Sequence, residues 1–575
     1  MSQERTGRGD GGLFAEESVD GFIHRAFLRG AGHSAAAVRR RPVVGICSSW
    51  SELNPCNAGL QGLADAVKRG VLAAGGLPLV FPTISISEPY SRPTSMMLRN
   101  LMAMDVEQMI TSSPIDAVVL LGGCDKTVPA QLMGAVSAGK PALALTAGPR
   151  AVTRRHDGGA LTIDDLWPKA DERRRGLVSD DEWSRFEGCL NASVGTCNVM
   201  GTAVTMAVVA EMLGFALPGT ALSPATSAAR MAAAELTGTR VVALWAGSAT
   251  ATPPVPAAAM ITPASIENAF RVVCAIGGST NALLHLIAIA GRAGIRVRLA
   301  DLRAWGTSTP VLVDVRPSGR YLLSDLDEVG GLPALVRELA PLLHMQTPTA
   351  DGRSWSAVVA DLPAASGPAL HPLSDPVYPD GGLAVLAGSL APDGAVIKRS
   401  ASDPRLLRHT GRAVVFDGVA DLRARIDDPL LDVDADSVLL LRGAGPRGGP
   451  GMPEVGHLPI PAKLLAQGVQ DMVRVSDARM SGTATGTVVL HVAPEAAVGG
   501  PLALVRDGDL IRLDVEAGTL DLLVDDAELT RRRDDVQLPG ARPARGFDQL
   551  HWDHVLQAPQ GCDFDFLTGA FNESP

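Results

Sequence analysis

Gly122-Gly123-Cys124-Asp125-Lys126 sets a thiol, a carboxyl and an amine side by side. The apolar run Asp116 to Leu121 comes before it and reads as a buried strand. Val128 to Ala138 comes after it and reads as a helix. In open α/β sheets a strand-to-helix turn is the usual place for a ligand. A thiolate beside a carboxylate and an amine suits a soft metal next to a hard one.

Other cysteines belong with this stretch. The chain has seven: Cys47, Cys56, Cys124, Cys189, Cys197, Cys274 and Cys562. None forms a CxxC pair or a tight zinc-ribbon spacing. Cys56, Cys124 and Cys197 share one setting, a loop of small or polar residues next to an apolar element. Soft thiolates suit Fe–S clusters, and distant cysteines converge in a fold. Three ligands in place of four would leave one iron open to a substrate oxygen. By spacing alone, the commoner reading is three small, buried, apolar cysteines.

Longer blocks then set these residues in a pattern. Gly122 to Pro129, Gly195 to Ala203, Ala275-Ile276-Gly277-Gly278-Ser279-Thr280-Asn281-Ala282 and Ser476-Asp477-Ala478-Arg479-Met480-Ser481-Gly482-Thr483 resemble the marker blocks of the dihydroxy-acid and sugar-acid dehydratase family. So do Lys398 to Ser402 and Pro450-Gly451-Met452-Pro453-Glu454. The blocks follow the family's order from about Arg41 to Phe566. Within the family the chain looks more like the pentonate-type sugar-acid dehydratases (arabinonate or xylonate). The branched-chain biosynthetic enzymes usually carry Gly-Arg-Phe where this chain has Ala478-Arg479-Met480. The Gly195 to Ala203 block, Thr487 to Leu504 and Gly561 to Leu567 point the same way.

The resemblance implies a 2Fe–2S cluster on Cys56, Cys124 and Cys197, and a magnesium ion held by Glu88, Asp125 and Glu454. Lys126 matches a lysine that is carbamylated and also binds the magnesium. Ser481 matches the serine proposed as base, and Thr483 a residue near the substrate carboxylate. The implied reaction takes water from a 2,3-dihydroxy acid and gives a 2-keto acid. A metal ion would stabilise the charge that builds up as the proton leaves carbon two, and an open iron would take the 3-hydroxyl. A free serine is a very weak base, so Ser481 would act as an alkoxide stabilised by nearby cations or helix-terminal N–H groups. One departure is Glu88-Pro89, which differs from sugar-acid members and bears on the substrate. Two other classes stand beside this reading. One is a branched-chain 2,3-dihydroxy-acid dehydratase. The other is a non-catalytic homologue, which predicts a missing metal carboxylate or base.

The elements that must position these groups are legible as texture. At 575 residues the chain exceeds one core and should divide. Strand-like and helix-like runs alternate through Val43–Cys47, Gly59–Ala74, Leu79–Pro82, Ser95–Gln108, Ala117–Leu121, Val128–Ala138 and Ala142–Thr146, which predicts βαβ units and a largely parallel sheet. Ala203–Leu213 and Ser279–Gly291 read as buried helices, the second capped by Ser279 or Thr280. Asp164–Glu187 is charged and reads as a helical excursion on the surface. Gly352–Asp380 reads as a linker or peripheral segment. Beyond about Gly381 short strand-like runs recur, at Leu383–Leu386, Ala413–Phe416, Val438–Leu441, Val488–Val492 and Leu510–Val515. These predict a β-rich sandwich or barrel. The fold class is therefore α/β: an N-terminal α/β domain over 1–380 and a barrel-like domain over 381–575 that carries Glu454 and Ser481. The Gly-rich loop Gly443 to Gly451 lacks the lysine of a phosphate loop and by itself reads as a flexible turn, whereas the resemblance implies that it is the backbone that delivers Glu454.

The bulk properties exclude other roles. A net charge of −11 with interspersed signs gives no basic footprint for nucleic acid. No apolar run is long enough to span a bilayer, and Met1 to Gly12 is polar, Gly-rich and read as frayed. The expected setting is the cytoplasm, where thiols stay reduced, and the expected partners are a small-molecule substrate and further copies in a homodimer or homotetramer. His285 reads as a satisfied core histidine, and His551 with His554 as structural.

Overall fold

The computed structural model describes residues 14, 17–155, 159–249, 256–363, 367–538 and 542–568. The polar segment Met1 to Gly12 lies outside them.

Four short apolar strands build the first sheet: β1 (Val43–Ser48), β2 (Leu77–Pro82), β3 (Ala117–Gly122) and β4 (Ala142–Thr146). All pairs are parallel, in the order β2-β1-β3-β4. β1, β3 and β4 are buried throughout, as near-continuous Val, Ile and Leu runs require when helices cover both faces. The covering helices include α1 (Leu60–Ala73), α2 (Arg99–Ser112) and α3 (Thr127–Ala138). The chain leaves β1 toward β2 on one side and returns as β3 on the other, so the carboxyl ends of β1 and β3 flank a topological switch point. The loops carrying Cys56 and Cys124 leave from those two ends.

A charged excursion follows, with α4 (Leu166–Arg174), and then the helical layer α5 (Thr202–Met212), α6 (Ala228–Ala249), α7 (Pro263–Ala275) and α8 (Asn281–Arg292). Every residue of α5 is buried. α1 and α6 approach through reciprocal glycines: a Cβ on Gly70 would lie 1.9 Å from the Glu235 carbonyl oxygen, and one on Gly238 2.2 Å from that of Val67. Ser279 accepts from the Asn281 N–H at 3.2 Å and so serves the start of α8, while Thr280 makes no side-chain cap.

The second sheet has eight strands: β5 (Leu383–Leu386), β6 (Gly394–Lys398), β7 (Arg408–Asp417), β8 (Val438–Arg442), β9 (Arg474–Ser476), β10 (Val488–Ala493), β11 (Leu510–Asp514) and β12 (Thr519–Leu522). Their order is β12-β11-β7-β8-β9-β10-β6-β5, parallel from β7 through β10 and antiparallel outside. The Ala387 N–H donates to Gly518 O at 3.0 Å and the Leu520 N–H to Ala387 O at 3.2 Å, which brings the two edges together into a nearly closed barrel. Ile397, Leu440, Val475 and Val489 fill its interior, while Val396, Val488 and Leu490 face outward into the core shared with the helical layer.

Two strands of this sheet escape the sequence reading: β6 ends in a lysine, and β12 has only four residues. The supposed linker Gly352–Asp380 is corrected as well. Among its described residues Trp355 opens a helix, Trp355–Ala360, and is fully buried in the main core. A large aromatic ring there offers more burial than the surrounding Ser, Pro and Asp suggest.

Candidate active site

The site is assembled from loops at the carboxyl ends of β1 and β3 and from barrel segments that reach across to them. Asn57 is the hub of the first group. Its Oδ1 accepts from the Cys124 N–H at 3.2 Å, and its Nδ2 donates to Ser49 at 3.2 Å, Ser85 at 3.0 Å and Thr127 at 3.4 Å. This clamps the loop of Cys56 to that of Cys124. A Cβ on Gly123 would lie 3.0 Å from Cys56 O, so glycine is what lets the loops touch. Cys56 and Cys124 are buried and share a hydrogen bond that, with burial, pushes the Cys56 thiol well up. Burial pushes Cys197 up to about 12, against the pull of Arg150.

Carboxylates gather on the neighbouring side. Lys126, fully buried at the N-cap position of α3, points its Nζ at Glu454 Oε1 (3.4 Å), Glu88 Oε2 (3.6 Å) and Asp125 Oδ2 (3.7 Å). Thr94 donates to Glu88 Oε1 at 2.6 Å, and Ser95 donates to Oε2. Arg479, fully buried, donates to Glu454 Oε1 at 2.9 Å, Thr94 Oγ1 at 3.0 Å and Met452 O at 2.7 Å. Asn281 at the start of α8 donates to the same Glu454 Oε1 at 2.8 Å and to Met480 O at 3.1 Å. Burial raises Glu454 and Asp125, whereas at Glu88 burial is outweighed by Lys126 and Arg479, which hold it far below the usual range. Three carboxyls thus share two cations, and the set is one positive charge short of neutrality.

Ser481 and Thr483 close the third side. Their hydroxyls lie 2.8 Å apart, and the Thr483 N–H reaches Ser481 Oγ at 3.3 Å. A Cβ on Gly482 would meet the Thr202 nitrogen at 2.7 Å and Ser279 Oγ at 2.9 Å, so only glycine lets this loop seat on the start of α5. A Cβ on Gly201 would lie 3.3 Å from the Thr483 methyl and 3.9 Å from Cys197 Cβ, which joins the hydroxyl pair to the thiols.

All nine residues singled out from the sequence therefore converge on one place. Among the described residues, no three His, Cys, Asp or Glu side chains stand at the spacing of a loaded metal site. The donor chemistry nonetheless fits two different groups. Three thiols lie within electrostatic reach of one another and of Arg150, as a soft cluster wants, and three carboxyls surround an ammonium that marks where positive charge is held.

Sequence reasoning missed several contributors. Arg479 and Asn281 lie inside blocks quoted for other residues. Trp167 gave one faint signal, an aromatic ring in a charged stretch. That stretch is a helical excursion on the surface, as expected, with no buried residue in either of its helices, but the half-buried Trp167 at the start of α4 donates through Nε1 to Thr483 Oγ1 at 3.0 Å. His285 is corrected. It is buried and its Nδ1 meets Arg99 Nη1 at 3.2 Å, but its Nε2 has no partner.

Residues 41–358 match the family model described as dihydroxy-acid/6-phosphogluconate dehydratase N-terminal, and residues 369–562 match the corresponding C-terminal model. The chain is 47% identical to an L-arabonate dehydratase of Azospirillum brasilense, covering 97% of this chain and 96% of the relative. It is 46% identical to a 6-deoxy-6-sulfo-D-gluconate dehydratase of Pseudomonas putida, covering 96% and 95%. A dihydroxy-acid dehydratase of Acidothermus cellulolyticus is 42% identical, covering 94% and 95%.

Proposed function

Because this chain belongs to the dihydroxy-acid/6-phosphogluconate dehydratase family, we propose that it is a hydro-lyase of sugar acids, converting an aldonate to its 2-keto-3-deoxy acid. The observation that carries the reading is the convergence of three thiols, three carboxyls, Lys126 and the Ser481–Thr483 hydroxyl pair at the sheet's switch point. The sugar-acid assignment is supported by two relatives, named for L-arabonate and for 6-deoxy-6-sulfo-D-gluconate, at 47% and 46% identity.

In this reading Cys56, Cys124 and Cys197 hold a 2Fe–2S cluster, and Glu88, Asp125, Glu454 and a carbamylated Lys126 hold magnesium. When bound, the two groups supply Lewis acidity to the leaving 3-hydroxyl and to the carboxylate and 2-hydroxyl. The chain's own residues do the rest. Arg479 and Asn281 both donate to Glu454 Oε1, so Oε2 is the oxygen they leave free to face a cation. Ser481 takes the proton from carbon two as an alkoxide, with the Thr483 N–H and hydroxyl as the donors that stabilise the alkoxide before it is protonated. The 3-hydroxyl leaves as hydroxide, and the enol tautomerises to the ketone. Exposed Val19, Phe22, Ile23 and Phe27 form an apolar stripe on the helix Val19–Gly30, which supports self-association as a homodimer or homotetramer.

The test is turnover of the reconstituted protein on pentonates and hexonates against 2,3-dihydroxyisovalerate, with Ser481→Ala as the paired variant. We expect preference for an aldonate. Ser481→Ala should lose at least about a hundredfold in kcat with melting temperature and cluster absorbance unchanged. Preference for the branched-chain acid would overturn the substrate, and near-normal turnover by Ser481→Ala would overturn the base.

A further inference from the structure

Thr483 accepts from a group that has no acceptor of its own. The Trp167 indole N–H is a donor only, so in the 3.0 Å contact Thr483 Oγ1 must be the acceptor. The Thr483 proton is then free for its other close neighbour, Ser481 Oγ at 2.8 Å. A hydroxyl oxygen accepts two hydrogen bonds, so the indole occupies one acceptor position of Thr483; once Ser481 Oγ is ionised it has no proton to give, and Thr483 is the donor in the second bond.

The indole is held firmly enough to do this. Asp164 and Asp165, just before α4, both accept from Arg316, at 3.0 and 2.7 Å. The Ile163 N–H donates to Asn198 Oδ1 at 3.1 Å, tying the excursion to the residue after Cys197. His457 lies against the indole at 5.6 Å between ring centroids, and burial keeps it neutral by pushing it down to about 3.

We infer that Trp167 is a positioning residue that anchors the Thr483 hydroxyl beside Ser481 Oγ, so that a donor is already in place when Ser481 carries negative charge. The inference rests on the reading of Ser481 as base. A hydrogen bond to an ionised oxygen is worth about twice a neutral one, so the contribution appears in turnover more than in ground-state binding.

Holoenzyme carrying Trp167→Phe, Thr483→Val or both is assayed for kcat and KM on the preferred sugar acid, with melting temperature and cluster absorbance as controls. Trp167→Phe should lower kcat about tenfold with KM nearly unchanged, and should cost nothing further once Thr483→Val is present. If Trp167→Phe misfolds, benzothienylalanine placed at position 167 removes the N–H while keeping the ring, and should give the same loss. An unchanged kcat, a loss confined to KM, or the same factor in the Thr483→Val background would overturn the inference. Ser481→Ala separates the two ideas. If that variant is inactive while Trp167→Phe is normal, only the role of Trp167 fails. If Ser481→Ala turns over normally, the base assignment fails and this inference with it.

Discussion

The two sides of the site are held in place by different chemistry. Beneath Cys56 and Cys124 the scaffold is neutral. The Asn57 amide clamps two loops, and Gln131 Nε2 donates to Leu121 O at 2.9 Å where β3 ends. Beneath Glu454 and Ser481 the scaffold is ionic. Asp477, buried, accepts from the N–H groups of Ala444 (3.0 Å), Gly443 (3.1 Å) and Ala496 (3.1 Å). Glu495, also buried, accepts from Arg447 at 2.9 Å and Gly448 at 2.8 Å, and Arg479 ties Met452 to Glu454. The sheet side starts from regular strand ends and has little loose backbone to satisfy. The barrel side must hold the irregular loop Gly443 to Glu454, whose many N–H groups need strong acceptors. The difference teaches that one half of the site answers to salt and pH, and the other to shape.

Removing a charge from the ionic side is the strongest way to test this. Arg479→Gln leaves Glu88 and Glu454 facing Lys126 alone, and breaking such a buried pair costs about 3–5 kcal/mol. The melting temperature should fall, and calorimetric titration should show weaker magnesium binding. Asn57→Ala should cost less, about 1–3 kcal/mol for the unpaired Cys124 N–H and its neighbours, and the loss should be the same at low and high salt. If the Arg479 variant is no less stable than the Asn57 one, the distinction between the two scaffolds fails.

The smallest effect is a pH slope. His551 donates to Pro446 O at 3.1 Å in the Gly-rich loop, its Nδ1 has no partner, and burial pushes it down to about 4. As pH falls from about 6.5 toward 4 the unfolded chain takes up a proton that the folded chain refuses, so stability is lost over that window. Asp477 runs the other way. Burial and Glu495 push it up to about 7, so its cost grows as pH rises from its ordinary value to 7. Denaturant unfolding of His551→Gln against the parent between pH 7 and 5 isolates the histidine. The variant should keep the donor to Pro446 and flatten the acid limb by up to about 1.4 kcal/mol per pH unit. Equal slopes would remove His551 from the ionic scaffold.

Much of this was legible in the residues. The strand runs Val43–Cys47, Ala117–Leu121 and Ala142–Thr146 fall within a residue of the observed bounds, because strands buried on both faces are continuous apolar runs. All nine candidate side chains were named before any geometry through the resemblance of their blocks to the dehydratase family, since residue type and spacing alone left each of them a commoner structural reading. Trp167 was read as surface because its neighbours are charged, and no local pattern links it to a residue more than three hundred positions away. The buried role of Trp355 was hidden in the same way by the Pro, Ser and Asp around it.

The sequence thus determined which runs form strands and helices, through residue type and short-range periodicity, and, through blocks shared with a known family, which groups are candidates to react. Tertiary structure alone decided that Lys126 would sit among Glu88, Asp125 and Glu454, that Arg479 and Asn281 would donate to one oxygen of Glu454, and that Trp167 would donate to the Thr483 hydroxyl. Each of these pairs residues far apart in the chain, and only closure of the barrel onto the parallel sheet brings them within hydrogen-bond range.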